Sequence, residues 1–105
     1  MDDTFLTFVV DDQLESLGIE ARRMFGSWGL YHQGYFFGIV SEGRLYLKTT
    51  DATRQPFLDA EMGPFRPSPQ QTLKNYYEVP VDVLEDASTL QQWVKQAIST
   101  QTITN

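Results

Sequence analysis

The residue types that carry most protein chemistry are thinly supplied in this chain of 105 residues. It has no cysteine and a single histidine, His32. Thiolate nucleophiles, disulfides and cysteine-ligated zinc are thereby excluded, and no multi-histidine metal centre can be assembled. His32 stands beside Gln33-Gly34, a turn signal, and reads as an exposed or hydrogen-bonded turn histidine. Ser27, His32 and an aspartate supply the types of a hydrolytic triad. A strand follows Ser27, however, where a nucleophile elbow needs a helix. Gly26-Ser27-Trp28-Gly29 is too short for a phosphate-binding loop, lacks the following lysine and leads into a strand. Its two glycines read instead as turn formers with Trp28 packed across them. The acid pairs Asp11/Asp12 and Glu85/Asp86 are sequence neighbours, which diverge on a helix and suit capping and solvation better than acid–base catalysis. These residues point to no enzymatic activity, no cofactor and no metal.

What remains is a set of bases interleaved with aromatics. The chain carries 14 acids against 8 bases, net −6, and the imbalance is segregated. Residues 1–21 hold six acids and no base; residues 22–74 hold seven bases against four acids; residues 75–105 hold Lys95 against four acids. The acidic total argues against non-specific binding to phosphate backbones, while the basic middle can still form a local patch. Arg44, Tyr46 and Lys48 alternate with Leu45 and Leu47, so the first three share one strand face and the leucines take the other. Phe36, Phe37, Tyr76 and Tyr77 are two adjacent aromatic pairs, and adjacent strand residues face opposite ways. Half of that set must enter the core.

The elements that position these residues follow from periodicity and punctuation. Leu6, Val9, Val10, Leu14 and Leu17 recur at helical spacing, predicting a helix over 4–17, capped by Asp3 or Thr4 and ended at Gly18. From 19 to 49, aromatic and β-branched runs broken by glycine predict an antiparallel meander with strands at 20–25, 28–32, 35–40 and 44–48. A second helix is expected over 50–62, capped by Thr50 or Asp51, with Phe57 and Leu58 inward; because Pro56 suits only the first turn of a helix, either the regular helix begins near Thr53 or the segment is kinked. Residues 63–71 hold three prolines and read as a loop with a short strand near Phe65. A strand at 73–79 and a turn at 81–84 precede a final helix begun by Asp86 or Ser88. Leu90, Trp93, Val94, Ala97 and Ile98 form its apolar stripe, and 99–105 is expected to fray. The expectation is one α+β domain over 1–105: an antiparallel β-meander with flanking N-terminal and C-terminal helices and one intervening helix. No apolar run approaches the roughly 20 residues of a membrane span, and the start MDDTF lacks the basic opening of a signal peptide. A cytoplasmic protein is expected.

Three stretches together bring out a resemblance. ARRMFGSWGLY (21–31), GRLYLKTTDATRQPF (43–57) and YYEVPVDVLED (76–86) resemble the N-terminal domain of the TfoX/Sxy competence regulators. The matching positions are Arg22, Arg23, Met24, Phe25, Gly26, Gly29, Leu30 and Tyr31, then Leu45, Tyr46, Leu47 and Lys48, then Tyr76, Tyr77, Pro80, Leu84 and Trp93. The resemblance implies an α+β domain linked to control of DNA-uptake genes, acting as a coactivator with the catabolite activator protein. Regulators of this kind usually carry a second, helical domain, and this chain ends just after its first-domain helix. Pro56 and RPSPQQ (66–71) depart from the more polar, lysine- and glycine-containing segment of the family.

Met24, Phe25, Leu30, Leu45, Leu47 and Trp93 are expected in the core. Arg22, Arg23, Arg44 and Lys48, with Tyr46, are the residues that packing explains least. They form the candidate partner-binding surface, fitted to an acidic protein surface or a phosphate backbone. The leading reading is a non-enzymatic regulatory module that binds a transcription protein; the alternative is direct nucleic-acid binding through the same face. A small-molecule pocket between sheet and helix is a third reading, with no convergent polar constellation in the sequence to support it. A homodimer through an exposed strand edge is compatible with all three.

Overall fold

The computed structural model describes residues 4–24 and 26–100. They form an α+β domain: six strands in one wholly antiparallel sheet, with helices packed on one of its faces. The strands are β1 (Glu20–Met24), β2 (Ser27–His32), β3 (Tyr35–Ser41), β4 (Arg44–Lys48), β5 (Pro64–Ser68) and β6 (Gln71–Glu78). The first four make the predicted meander. The chain then crosses over, so that β6 pairs with β4 and β5 lies outside it, giving the order β1-β2-β3-β4-β6-β5. Both edges are poor templates for a further strand: β5 contains Pro64 and Pro67, which lack N–H donors, and β1 carries Glu20, Arg22 and Arg23.

The N-terminal helical segment is less regular than its periodicity predicts. Helix α1 (Thr4–Thr7) passes into a π-helical stretch, Phe8–Gln13, and a 3₁₀ turn at Glu15–Leu17. The Leu14 N–H donates to the Val9 carbonyl, five residues back. That wider turn brings Val9 and Leu14, both fully buried, onto one face although they are five apart. Gly18 ends the segment with φ +64°, as expected; Asp3, the alternative cap, lies outside the described residues.

The helix expected over 50–62 is short. Residues 51–53 form a turn, and α2 spans only Gln55–Asp59, with Pro56 in its first turn. The missing proline N–H is an orphan there in any case, which reconciles the sequence with a helix. The turn is tied to β6 by Arg54, whose guanidinium donates to Thr49 Oγ1, Asp51 and Asn75 Oδ1 at 2.9, 3.0 and 3.2 Å. Phe57 is buried as expected, but Leu58 is 45% exposed, so only one of that pair faces inward.

A single turn, α3 (Val81–Leu84), leads to α4 (Ala87–Ser99), whose N-cap Asp86 accepts the Thr89 N–H. Leu90, Val94 and Ala97 of α4 pack with Val9, Leu14, Leu30, Phe37, Leu45 and Leu47 in the main core. Thr100 is also buried, its hydroxyl donating to the Ala97 carbonyl and accepting from the Tyr35 hydroxyl. The chain is therefore anchored through Thr100, past the point where fraying is expected. Of the residues expected in the core, Leu30, Leu45 and Leu47 are fully buried, Met24 and Trp93 half-buried, and Phe25 is outside the described residues.

Candidate partner-binding face

The face of the sheet turned away from the helices has its own apolar cluster. Ile39, Tyr46 and Phe65 are buried there, with Met24, Phe36, Leu73 and Tyr76 packed around them. Every member lies on a strand, and no helix of the described residues contributes to it. The side chains are brought together by register. Ile39 pairs with both Gly29 and Tyr46, and Tyr46 pairs with Glu78, so β2, β3, β4 and β6 present these positions on one face.

A row of half-buried rings crosses that face. Tyr31 and Phe36 lie 5.2 Å apart between centroids, Phe36 and Tyr76 5.4 Å, each pair tilted by 32°. Farther along, Tyr46 packs on Phe65 at 4.7 Å. The row depends on Gly29, which is not the turn residue its spacing suggests: it sits in the middle of β2, between Arg22 and Ile39. A Cβ at Gly29 would meet Tyr31 Cε1 at 3.1 Å and Phe36 Cε1 at 3.2 Å. Absence of a side chain there is what lets two rings lie over the backbone. The turn reading of Gly26-Ser27-Trp28-Gly29 fails at Gly29 for this reason, while Gly26, at φ +81°, is a turn.

Burial shapes the chemistry of the phenols. The Tyr76 hydroxyl is pushed up to about 12, first by desolvation and then by the neighbouring Tyr35 and Tyr31. Tyr46 is also raised, by desolvation and by the Glu78 carboxylate, against the opposing pull of Arg44. Both stay neutral at physiological pH and can offer an O–H donor.

The five residues predicted for partner binding divide between the two sides of the sheet. Arg22, Arg44 and Tyr46 are on the strand-only face. Arg22 stacks on Tyr31, 4.6 Å from the ring centroid, and holds Glu20 at 3.0 Å, an interaction that raises its already high pKa. Arg44 reaches Glu78 at 3.4 Å. Arg23 pairs with Trp28 in the β1–β2 ladder and lies over the indole at 5.1 Å, on the helical side. Lys48 is in register with Tyr76, yet its ammonium lies 5.4 Å from the centroid of Tyr35, whose ring packs against the helical core. Strand alternation places the Cβ atoms of Arg44, Tyr46 and Lys48 together, but the long lysine stem at the end of β4 carries its charge elsewhere. The aromatic pairs split as alternation requires: Phe36 and Tyr76 on this face, Phe37 and Tyr77 in the main core. Tyr31 and Gly29 belong to this face without having been assigned to it from the sequence; their signal is a glycine two residues before an aromatic within one strand.

Residues 12–101 match the TfoX N-terminal domain. The chain belongs to this family. An uncharacterised 12.7 kDa protein in the trpE 5′ region of Spirochaeta aurantia is 34% identical to it over 94 residues, covering 90% of this chain and 77% of that protein. The match takes in all six strands and both helices that follow β6, so the strand-only face and the helical face alike belong to the shared domain. Among the described residues, no helix is long and apolar enough to cross a membrane, and no group of three or more His, Asp or Glu is placed to hold a metal ion.

Proposed function

We propose that this TfoX-family domain is a non-enzymatic regulatory module that binds a transcription protein through the strand-only face, as the resemblance to competence regulators implies. The observation that carries the reading is the half-exposed row Tyr31–Phe36–Tyr76, flanked by Arg22 and Arg44, on a face that draws on no helix of the described residues. Rigid aromatics beside arginines are the residue types that supply most of the binding energy at protein interfaces. A protein partner suits the face better than nucleic acid. Both of its arginines already hold glutamates, leaving little uncommitted charge for phosphates. The rings lean on one another instead of standing apart to receive bases.

The partner is a transcription protein of the catabolite activator kind, and the test uses that protein directly. Wild-type chain is passed over immobilised catabolite activator protein of the source bacterium, beside Arg22→Glu/Arg44→Glu and Arg23→Glu/Lys48→Glu. Arg22 and Arg44 are exposed, so the first variant keeps its fold, checked by circular dichroism. Capture weakened at least about tenfold in the first variant and retained in the second is expected, since a charge reversed within an interface costs several kcal/mol. No capture by wild type, or equal capture by the first variant, refutes the proposal. A gel shift with duplex DNA alone, falling steeply with salt, would move the assignment to nucleic acid.

A further inference from the structure

On the opposite side of the sheet, between the end of β4, α2 and α4, lies a cavity of about 160 Å³. Its floor and wall are apolar: Phe57 and Ala97 are buried, and Trp93 meets Phe57 edge-on at 4.7 Å. Pro56 completes the apolar part, and the polar lining comes from distant parts of the chain, namely Lys48, Thr53, Gln92 and Gln96. Gln92 and Gln96 are one helical turn apart on α4, beside the row formed by Trp93 and Ala97.

Three of these polar groups are uncommitted; the fourth, Thr53 Oγ1, accepts the Thr50 N–H at 2.9 Å. The ion pairs of the described residues are Arg22–Glu20, Arg44–Glu78 and Arg54–Asp51, and none uses Lys48. Lys48 rests its ammonium on the Tyr35 ring, a contact that leaves its N–H donors available. Among the described residues, the side-chain amides of Gln92 and Gln96 form no hydrogen bond; Gln96 takes part only through its backbone carbonyl. The adjacent Arg54 is the opposite case, with its donors on Thr49, Asp51 and Asn75. A half-buried lysine without a carboxylate, in a chain of net charge −6, stands where acidic partners are plentiful and none has been placed.

We infer that this cavity is a binding site for a small organic carboxylate carried on a flat apolar body. Its volume is close to that of an apolar protein cavity of about 150 Å³ that takes up benzene. The ring of such a ligand lies against Trp93 and Phe57, and its carboxylate accepts from the Lys48 ammonium and the flanking amides, a charge-assisted arrangement. A neutral ligand of the same shape fills the apolar part and forfeits the charged contact. This site is independent of the strand-only face, so its test does not depend on the partner proposal.

Benzoate and the neutral isostere benzamide are the probes, titrated into the isotopically labelled full chain and followed by amide NMR. Benzoate is expected to give saturable shifts centred on Lys48, Thr53, Gln92 and Trp93, with Kd of about 1 mM or tighter. Benzamide should bind about tenfold more weakly or less, the size of effect a hydrogen bond to a charged group confers. Lys48→Met keeps the aliphatic stem and should lose the same factor for benzoate while leaving benzamide unchanged; Lys48→Arg should retain benzoate. The inference is overturned if benzoate gives no saturable shift at these residues up to about 10 mM. Equal binding of the two probes by wild type overturns it too, and this arm requires no variant to fold. Undiminished benzoate binding by Lys48→Met has the same consequence.

Discussion

Gly38 and Gly29 lie in adjacent strands, on opposite faces of the sheet, and replacing each by alanine separates two kinds of crowding. Neither glycine has a positive φ, so alanine strains neither backbone and narrows the unfolded ensemble, a gain of about 0.4–1 kcal/mol. Opposing it is overpacking, typically about 1–3 kcal/mol. At Gly29 the new methyl meets ring edges of Tyr31 and Phe36 and, at 3.4 Å, the sulfur of Met24. Those groups turn about side-chain torsions on a half-exposed face and yield a few tenths of an ångström. At Gly38 the nearest atom is the backbone carbonyl oxygen of Tyr46 at 3.0 Å, backed by Leu47 Cδ2 at 3.3 Å. That oxygen belongs to the neighbouring strand, and Gly38 is in register with Leu47, so relief requires β3 and β4 to part above a core of fully buried leucines. Gly38→Ala is therefore expected to cost about 2 kcal/mol net, and Gly29→Ala less than about 1 kcal/mol. For a domain of this size the former lowers Tm by roughly 8 °C. Urea unfolding followed by far-ultraviolet circular dichroism measures both, with an unchanged m-value marking a true stability effect. If Gly38→Ala is as stable as wild type, or Gly29→Ala is the more damaging, the distinction between backbone and side-chain crowding is wrong for this sheet.

Two further outcomes follow from single interactions. Asp86→Ala removes the acceptor of the Thr89 N–H at the start of α4 and should cost about 1 kcal/mol in the same urea assay, whereas Asp86→Asn should lie within about 0.5 kcal/mol of wild type. Because Tyr76 is raised from 10.0 to about 12 in the folded protein, its neutral phenol favours folding fully below pH 10, and that contribution is lost as pH rises from about 10 to about 12. Discounted for a half-buried group, the displacement corresponds to about 1 kcal/mol. Tyr76→Phe should flatten the stability profile over that interval, and an unchanged slope would exclude Tyr76 as its source.

Much of the fold is legible in local chemistry. Gly18 marks the end of the first helical segment, Gln33-Gly34 and Glu42-Gly43 mark hairpin turns, and Leu90, Val94 and Ala97 mark the buried stripe of α4, because turns and amphipathic stripes depend on residues a few positions apart. Errors arise where a local signal has two solutions. Pro56 permits either a kinked helix over 50–62 or a regular one beginning near Thr53; α2 begins two residues later still, at Gln55, and the Arg54 contacts to Thr49 and Asn75, 5 and 21 residues away, accompany that start. Gly29 reads equally as a turn or as space for a ring, and the choice depends on β3 bringing Phe36 across from Tyr31.

The α+β class, the meander, the family and the absence of thiol chemistry are all legible without coordinates, since they rest on composition, short-range pattern and motif order. The insertion of β6 beside β4 is visible in the three-dimensional fold alone, because strand order is set by long-range packing that periodicity does not record. The placement of the bases is three-dimensional too. Alternation along a strand governs where a Cβ points, but a lysine has four further carbons, and at the end of β4 they carry the Lys48 charge toward Tyr35 and the cavity beneath α4. Arg22 and Arg44 stay with the aromatic row because Glu20 and Glu78 hold them there. Which charges share a surface is a property of side-chain reach and partners, and both are three-dimensional.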